Sequence, residues 1–169
     1  DSEREGILMC SCAGGANIQS TLPLQRETKK QSQILLEIGG LQSGHSGVEI
    51  DKGRANSNVL MARVLNAIAG KTACQLISLS GGTRETAIAS KSKAILSIPT
   101  SEKDMTLNMV SSLAEDFRKE YASTEPTLSL CAETLPDSEV FALTIPYTQK
   151  VTQLLMALPN GVQAMSMDM

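Results

Sequence analysis

QILLEIGG, residues 33–40, is the stretch on which the fold turns. Ile34, Leu36 and Ile38 alternate with Leu35 and Glu37, which predicts a strand with one fully apolar face. A glycine-punctuated loop, residues 39–53, follows. Asp51 then has the chemistry of an N-cap for a helix running to about Ala69, with Gly70 as its stop. Met61, Val64, Leu65 and Ile68 recur at i, i+3, i+4 and i+7, so one side of that helix is expected to pack on the strand.

Further out, residues 74–79 and 93–98 are short β-type runs on either side of Gly81, Gly82 and Thr83. Pro99 ends the second run, and Ser101 with Asp104 has the spacing of a capping box for a second helix. Val110, Leu113, Ala114, Phe117 and Tyr121 form its apolar stripe. After Pro126, Leu128, Leu130 and Ala132 alternate as a strand. The order over residues 33–132 is β-α-β-β-α-β, which predicts an α/β (α+β) chain of the ferredoxin-like split-βαβ class: an antiparallel sheet with both helices on one face.

Upstream, Asn17 to Thr28 is β-compatible, and Lys29 to Ser32 reads as a polar break. An N-terminal hairpin strand that extends the sheet is therefore expected. Downstream, Val151, Leu154, Leu155 and Leu158 mark a third helix stopped by Pro159, Asn160 and Gly161, with Val162 to Met169 as a final strand or exit segment.

Composition narrows the function. Aromatics make up 2 % of the 169 residues and Trp is absent, so the core is expected to rest on aliphatic side chains and the eight Met. Base stacking and sugar platforms are correspondingly disfavoured. A net charge of -3 with no basic cluster speaks against nucleic acid and anionic membranes as partners. The apolar runs are too short to span a bilayer, and Asp1 to Glu5 lacks signal-peptide grammar, so a cytoplasmic location is expected. Cys10, Cys12, Cys74 and Cys131 match no zinc-knuckle spacing and read as small buried hydrophobes in a reducing compartment.

The lone histidine, His45, sits in SGHSG (43–47), followed by Glu49, Asp51, Arg54, Asn56 and Asn58. Glycines let the backbone turn tightly near a ligand, and an imidazole there can donate to a carboxylate or a developing oxyanion. By itself the local pattern fits an ordinary exposed turn histidine better.

Longer matches change that balance. GGLQSGHSGVEIDKGRANSN (39–58) resembles the lid signature of the aminoacyl-histidine dipeptidase (peptidase D) family of two-zinc metallopeptidases. DSEREGILMCSCAGG (1–15), SLSGGTRETAIASKSKA (78–94) and LLMALPNGVQAMS (154–166) resemble further family segments in the same order. The resemblance implies a catalytic domain interrupted by a lid that also carries homodimer contacts, and hydrolysis of a dipeptide by metal-activated water. Residues 1–16 would be the tail of the catalytic domain and a linker, 17–134 the lid and dimerisation domain, and 135–169 a helical extension leading back. Asp1 aligns with a zinc ligand, while the other ligands and the general base would lie outside this chain. On this reading the chain alone holds no catalytic zinc and is inactive.

The same resemblance gives His45 the role of the lid histidine, which binds the substrate carboxylate or polarises the scissile carbonyl. Two departures stand out: Thr86 replaces the family's usual Asn and Ala89 its Pro. The Thr86 hydroxyl can still hydrogen-bond a substrate, so Thr86 is a candidate substrate-binding residue. Arg54 and Asn56 are expected to fix the loop and helix start. A different reading of the topology is a regulatory module that binds an amino acid between the glycine-rich loop and the first helix.

Overall fold

The computed structural model describes residues 5, 6, 8 and 14–164. Asp1, Cys10, Cys12 and the last methionines lie outside the described residues. Seven main elements follow one another: β1 (Arg26–Gly39), α1 (Ser57–Ala69), β2 (Gln75–Gly81), β3 (Ser92–Ile98), α2 (Lys103–Glu120), β4 (Ser129–Leu143) and α3 (Ile145–Ala157). The sheet order is β2-β3-β1-β4, with every neighbouring pair antiparallel. This is the strand order of the ferredoxin-like sandwich.

Alternation in β1 does what it predicts. Ile34, Leu36 and Ile38 are buried and share one core with Leu60, Met61, Val64, Leu65 and Ile68 of α1 and Val110, Ala114 and Phe117 of α2. Both helices thus cover one face of the sheet. Tyr147, Val151 and Leu155 of α3 pack against the same core, and the Thr148 hydroxyl accepts from the Leu76 amide at 2.9 Å, which ties α3 to β2. Met61 fills core space, but Met105 and Met156 are exposed. Cys74 is buried as expected; Cys131 is exposed.

Several local expectations are corrected. The hairpin is absent: residues 17–25 have no regular structure, and Lys29 to Ser32 lies inside a single 14-residue strand. That polar run contains no glycine or proline, and pairing with β4 satisfies its backbone, so it continues as strand, with a register shift between Gln31 and Gln33 at which β4 carries the extra residue. β4 likewise runs through Pro136, within that shift, as one strand from Ser129 to Leu143. A proline is accommodated there because β4 is an edge strand and the bulge needs no ladder donor.

The first helix begins at Ser57, not at Asp51. Residues Ile50–Lys52 form a 3-10 turn ended by left-handed Gly53, and Asn56 caps α1 by accepting from the Asn58 amide. The Ser101–Asp104 capping box does not form, because Thr100–Glu102 is itself a 3-10 turn and α2 starts at Lys103 without a side-chain cap. Residues 162–164 carry no strand.

Past Ser32, where β3 ends, the β1–β4 ribbon continues alone and comes against the start of β2. Arg26 donates to the Ile77 carbonyl at 2.9 Å, and buried Gln75 donates to the Leu143 carbonyl at 2.9 Å and to Glu27 at 2.7 Å.

Candidate functional site

The loop between β1 and α1 leaves the sheet at Gly40 and returns at Ala55. Its path is set from within. Arg54 donates to the Ser43 carbonyl and pairs with Glu49 Oε1 at 3.2 Å, while Lys52 donates to the same oxygen at 2.7 Å. Glu49 Oε2 also accepts from the His45 amide at 2.8 Å. With Lys52, the His45 amide and Arg54 around it, the Glu49 carboxyl is pulled down to about 2. Gly44, at φ 150, lies where a Cβ would collide with the Arg54 guanidinium, so only glycine lets the chain pass there.

His45 is exposed, and its Nδ1 accepts from the amides of Gly47 at 3.1 Å and Val48 at 3.2 Å. Two donors on one ring nitrogen leave no place for a proton there, so the ring proton is on Nε2. Among the described residues Nε2 has no hydrogen-bond partner.

A second loop, between β2 and β3, lies alongside. His45 and Ala87 form an isolated antiparallel bridge, Ser46 donates to the Thr86 carbonyl at 2.9 Å, and Ile88 to the Gly44 carbonyl at 2.9 Å. Backbone pairing therefore sets Thr86 opposite Ser46, next to the His45–Ala87 bridge, and the Thr86 side chain is exposed. Ala89, buried, accepts from the Ser57 amide at 2.8 Å and joins this loop to the start of α1. Gly81 to Glu85, with Asn56, Asn58, Ala87 and Ala89, lines an open groove of about 360 Å³.

Residues 36–125 match the model of the peptidase dimerisation domain. Over 164 residues the chain is 34 % identical to the cytosol non-specific dipeptidase of Escherichia coli (strain K12), covering 96 % of this chain and 34 % of that protein. The chain belongs to the peptidase dimerisation domain family.

This dimerisation domain spans about a third of the length of the curated relative it matches. It also superposes, with a TM-score of 0.82 and 25 % identity, on the crystal structure of aminoacylhistidine dipeptidase from Vibrio alginolyticus, covering 88 % of this chain and 30 % of that one. Among its described residues, no group of three His, Cys, Asp or Glu side chains could hold a metal ion, and no helix is long and apolar enough to cross a membrane. One residue that bears on the loop escapes sequence reasoning altogether: Glu125, 2 % exposed at the turn before β4. Nothing in its local pattern separates it from a solvated helix-end glutamate.

Proposed function

We propose that this dimerisation domain is the lid of a two-zinc, cytoplasmic dipeptidase that works as a homodimer, with His45 as the group it presents to substrate. The observation that carries the reading is the exposed His45 ring, whose Nδ1 is occupied by two backbone amides and whose Nε2–H is left as a donor. Such a donor suits the C-terminal carboxylate of a dipeptide or the oxyanion that develops during its hydrolysis. The Thr86 hydroxyl, one residue before Ala87 in the bridge to His45, is the second group assigned to substrate.

The zinc pair would supply the activated water. Its ligands, Asp1 excepted, are assigned to parts of the enzyme other than this chain. The names of the relatives, a non-specific dipeptidase and an aminoacylhistidine dipeptidase, support the substrate class. Replacing His45 with Ala in the complete enzyme is expected to lower kcat about 10²-fold, the usual cost of removing one oxyanion donor. Unchanged kcat and KM would remove the role.

The groove beside Asn56 and Asn58 favours a second reading, a module that binds a free amino acid between that loop and α1. Equilibrium dialysis of the chain against amino acids without metal separates the two, since only the module retains ligand.

A further inference from the structure

His45 can act as a directed donor only if its loop returns to one conformation, and the bonds within residues 43–54 do not attach that loop to the sandwich. The β2–β3 loop holds its tip through the His45–Ala87 bridge, and its two roots are attached by the turn between α2 and β4. Glu125 is buried, and its two carboxylate oxygens are divided between the two roots of the loop. Oε2 accepts from the Gln42 amide at 2.7 Å, and Oε1 accepts from the Ala55 amide at 3.0 Å.

The turn that carries it is itself fixed. The Glu125 amide donates to the Tyr121 carbonyl at 2.8 Å and the Leu128 amide to the Glu125 carbonyl at 3.1 Å. The Thr127 hydroxyl donates to the Gly40 carbonyl at 2.6 Å, two residues before Gln42.

We propose that Glu125 is the positioning residue of the His45 loop, its carboxylate holding the departing and returning strands of that loop at a set separation. The chemistry requires an acid. Two backbone N–H groups converge on one buried side chain, and only a carboxylate offers each of them an acceptor oxygen. A glutamine can satisfy one amide but turns its NH₂ toward the other, leaving donor against donor in a site closed to water. The arrangement is nested: Glu125 spaces the roots, Glu49 and Arg54 shape the interior, and the Gly47 and Val48 amides orient the ring. Glu125 sets loop geometry; what that geometry does for catalysis rests on the lid reading of His45.

The test is spectroscopic, on the full untagged chain, where His45 is the only histidine and its imidazole ¹⁵N signals are unambiguous. The native chain is expected to show the Nε2–H tautomer. Glu125→Gln, with a cooperative unfolding transition, is expected to move those signals toward the tautomer average. It should also speed amide exchange at Gly47 and Val48 at least about tenfold, through easier local opening. Thr127→Val, a change at an exposed side chain, is expected to give a smaller change of the same sign, and it decides the matter if the glutamine variant does not fold. Native-like imidazole signals and exchange in a folded variant overturn the proposal. The lid reading fails separately, if His45→Ala leaves the complete enzyme's turnover unchanged while these shifts are present.

Discussion

Gly47 stands against the ring of His45: its amide nitrogen lies 3.1 Å from Nδ1, and a Cβ built on it would lie 3.3 Å from Cε1. The backbone of Gly47 is one an alanine can adopt, so the constraint is space rather than dihedral preference. Gly47→Ala is therefore expected to leave global stability within about 1 kcal/mol while pushing the imidazole off its two amide donors. The imidazole ¹⁵N spectrum reports this directly as loss of a single tautomer. On the lid reading proposed for His45, the same variant in the complete enzyme should lose up to about 10²-fold in turnover, the scale of a small misplacement of a catalytic group. A native spectrum in the alanine variant would mean the ring tolerates the methyl.

Glu49 gives the loop an acid sensitivity with a definite sign. Its folded value of about 2 lies below the ordinary 4.5, so the unfolded loop binds the proton more readily between those limits. The contribution is fully present above 4.5 and is lost as pH falls toward 2. The His45 amide proton, which donates to Glu49, is the reporter. Its chemical shift should titrate with a midpoint near 2, and in Glu49→Gln the transition should vanish. A midpoint at 4.5 would show that Lys52 and Arg54 do not hold the carboxylate in solution.

The parts of the fold that were legible in the sequence are those in which side-chain periodicity and burial agree. Ile34, Leu36 and Ile38 announce a core strand, and Met61, Val64, Leu65 and Ile68 a packed helix face; both lie in the core. The misread parts are those settled by backbone bonding. Residues 29–32 look like a break because they are polar, but a ribbon with solvent on one side tolerates polar side chains once its ladder is made. Asp51 and Asn56 are both competent caps, and the left-handed Gly53 between them decides for Asn56 by turning the chain before α1 begins. The His45 loop was visible because its glycines and polar groups are adjacent in sequence. Glu125 was not, because its partners are backbone amides 83 and 70 residues away, which leave no mark on local composition.

Phe117 anchors the contact between α1 and α2. It is fully buried, and the Arg63 guanidinium lies 4.5 Å from its ring centroid while also bonding both oxygens of Glu120 at 2.7–2.9 Å. Phe117→Ala should cost roughly 3–5 kcal/mol through the cavity left behind, and Phe117→Leu less than about 1.5 kcal/mol. Glu120→Gln should cost less than about 1 kcal/mol, since the pair is substantially exposed and solvent screens it. Denaturant midpoints at constant slope rank the three. A glutamine variant as damaging as the alanine would place the stabilisation in the ion pair rather than in the ring.

Gln75 connects the bulged ribbon to the rest of the sheet. Its buried amide reaches both Glu27 and the Leu143 carbonyl, one on each strand of the ribbon, so with the Arg26 bond to Ile77 it ties the free ends of β1 and β4 to the start of β2. Gln75→Leu preserves volume and removes both bonds, at a cost of roughly 1–3 kcal/mol. The loss should be local. Amides of residues 26–31 and 138–143 should exchange faster, while those of 34–38, flanked by β3 and β4 on either side, should keep native protection. Uniform acceleration across all of β1 would instead mean that the ribbon and the four-stranded sheet open as one unit, and that the bulge at Gln31 and Gln33 is no hinge between them.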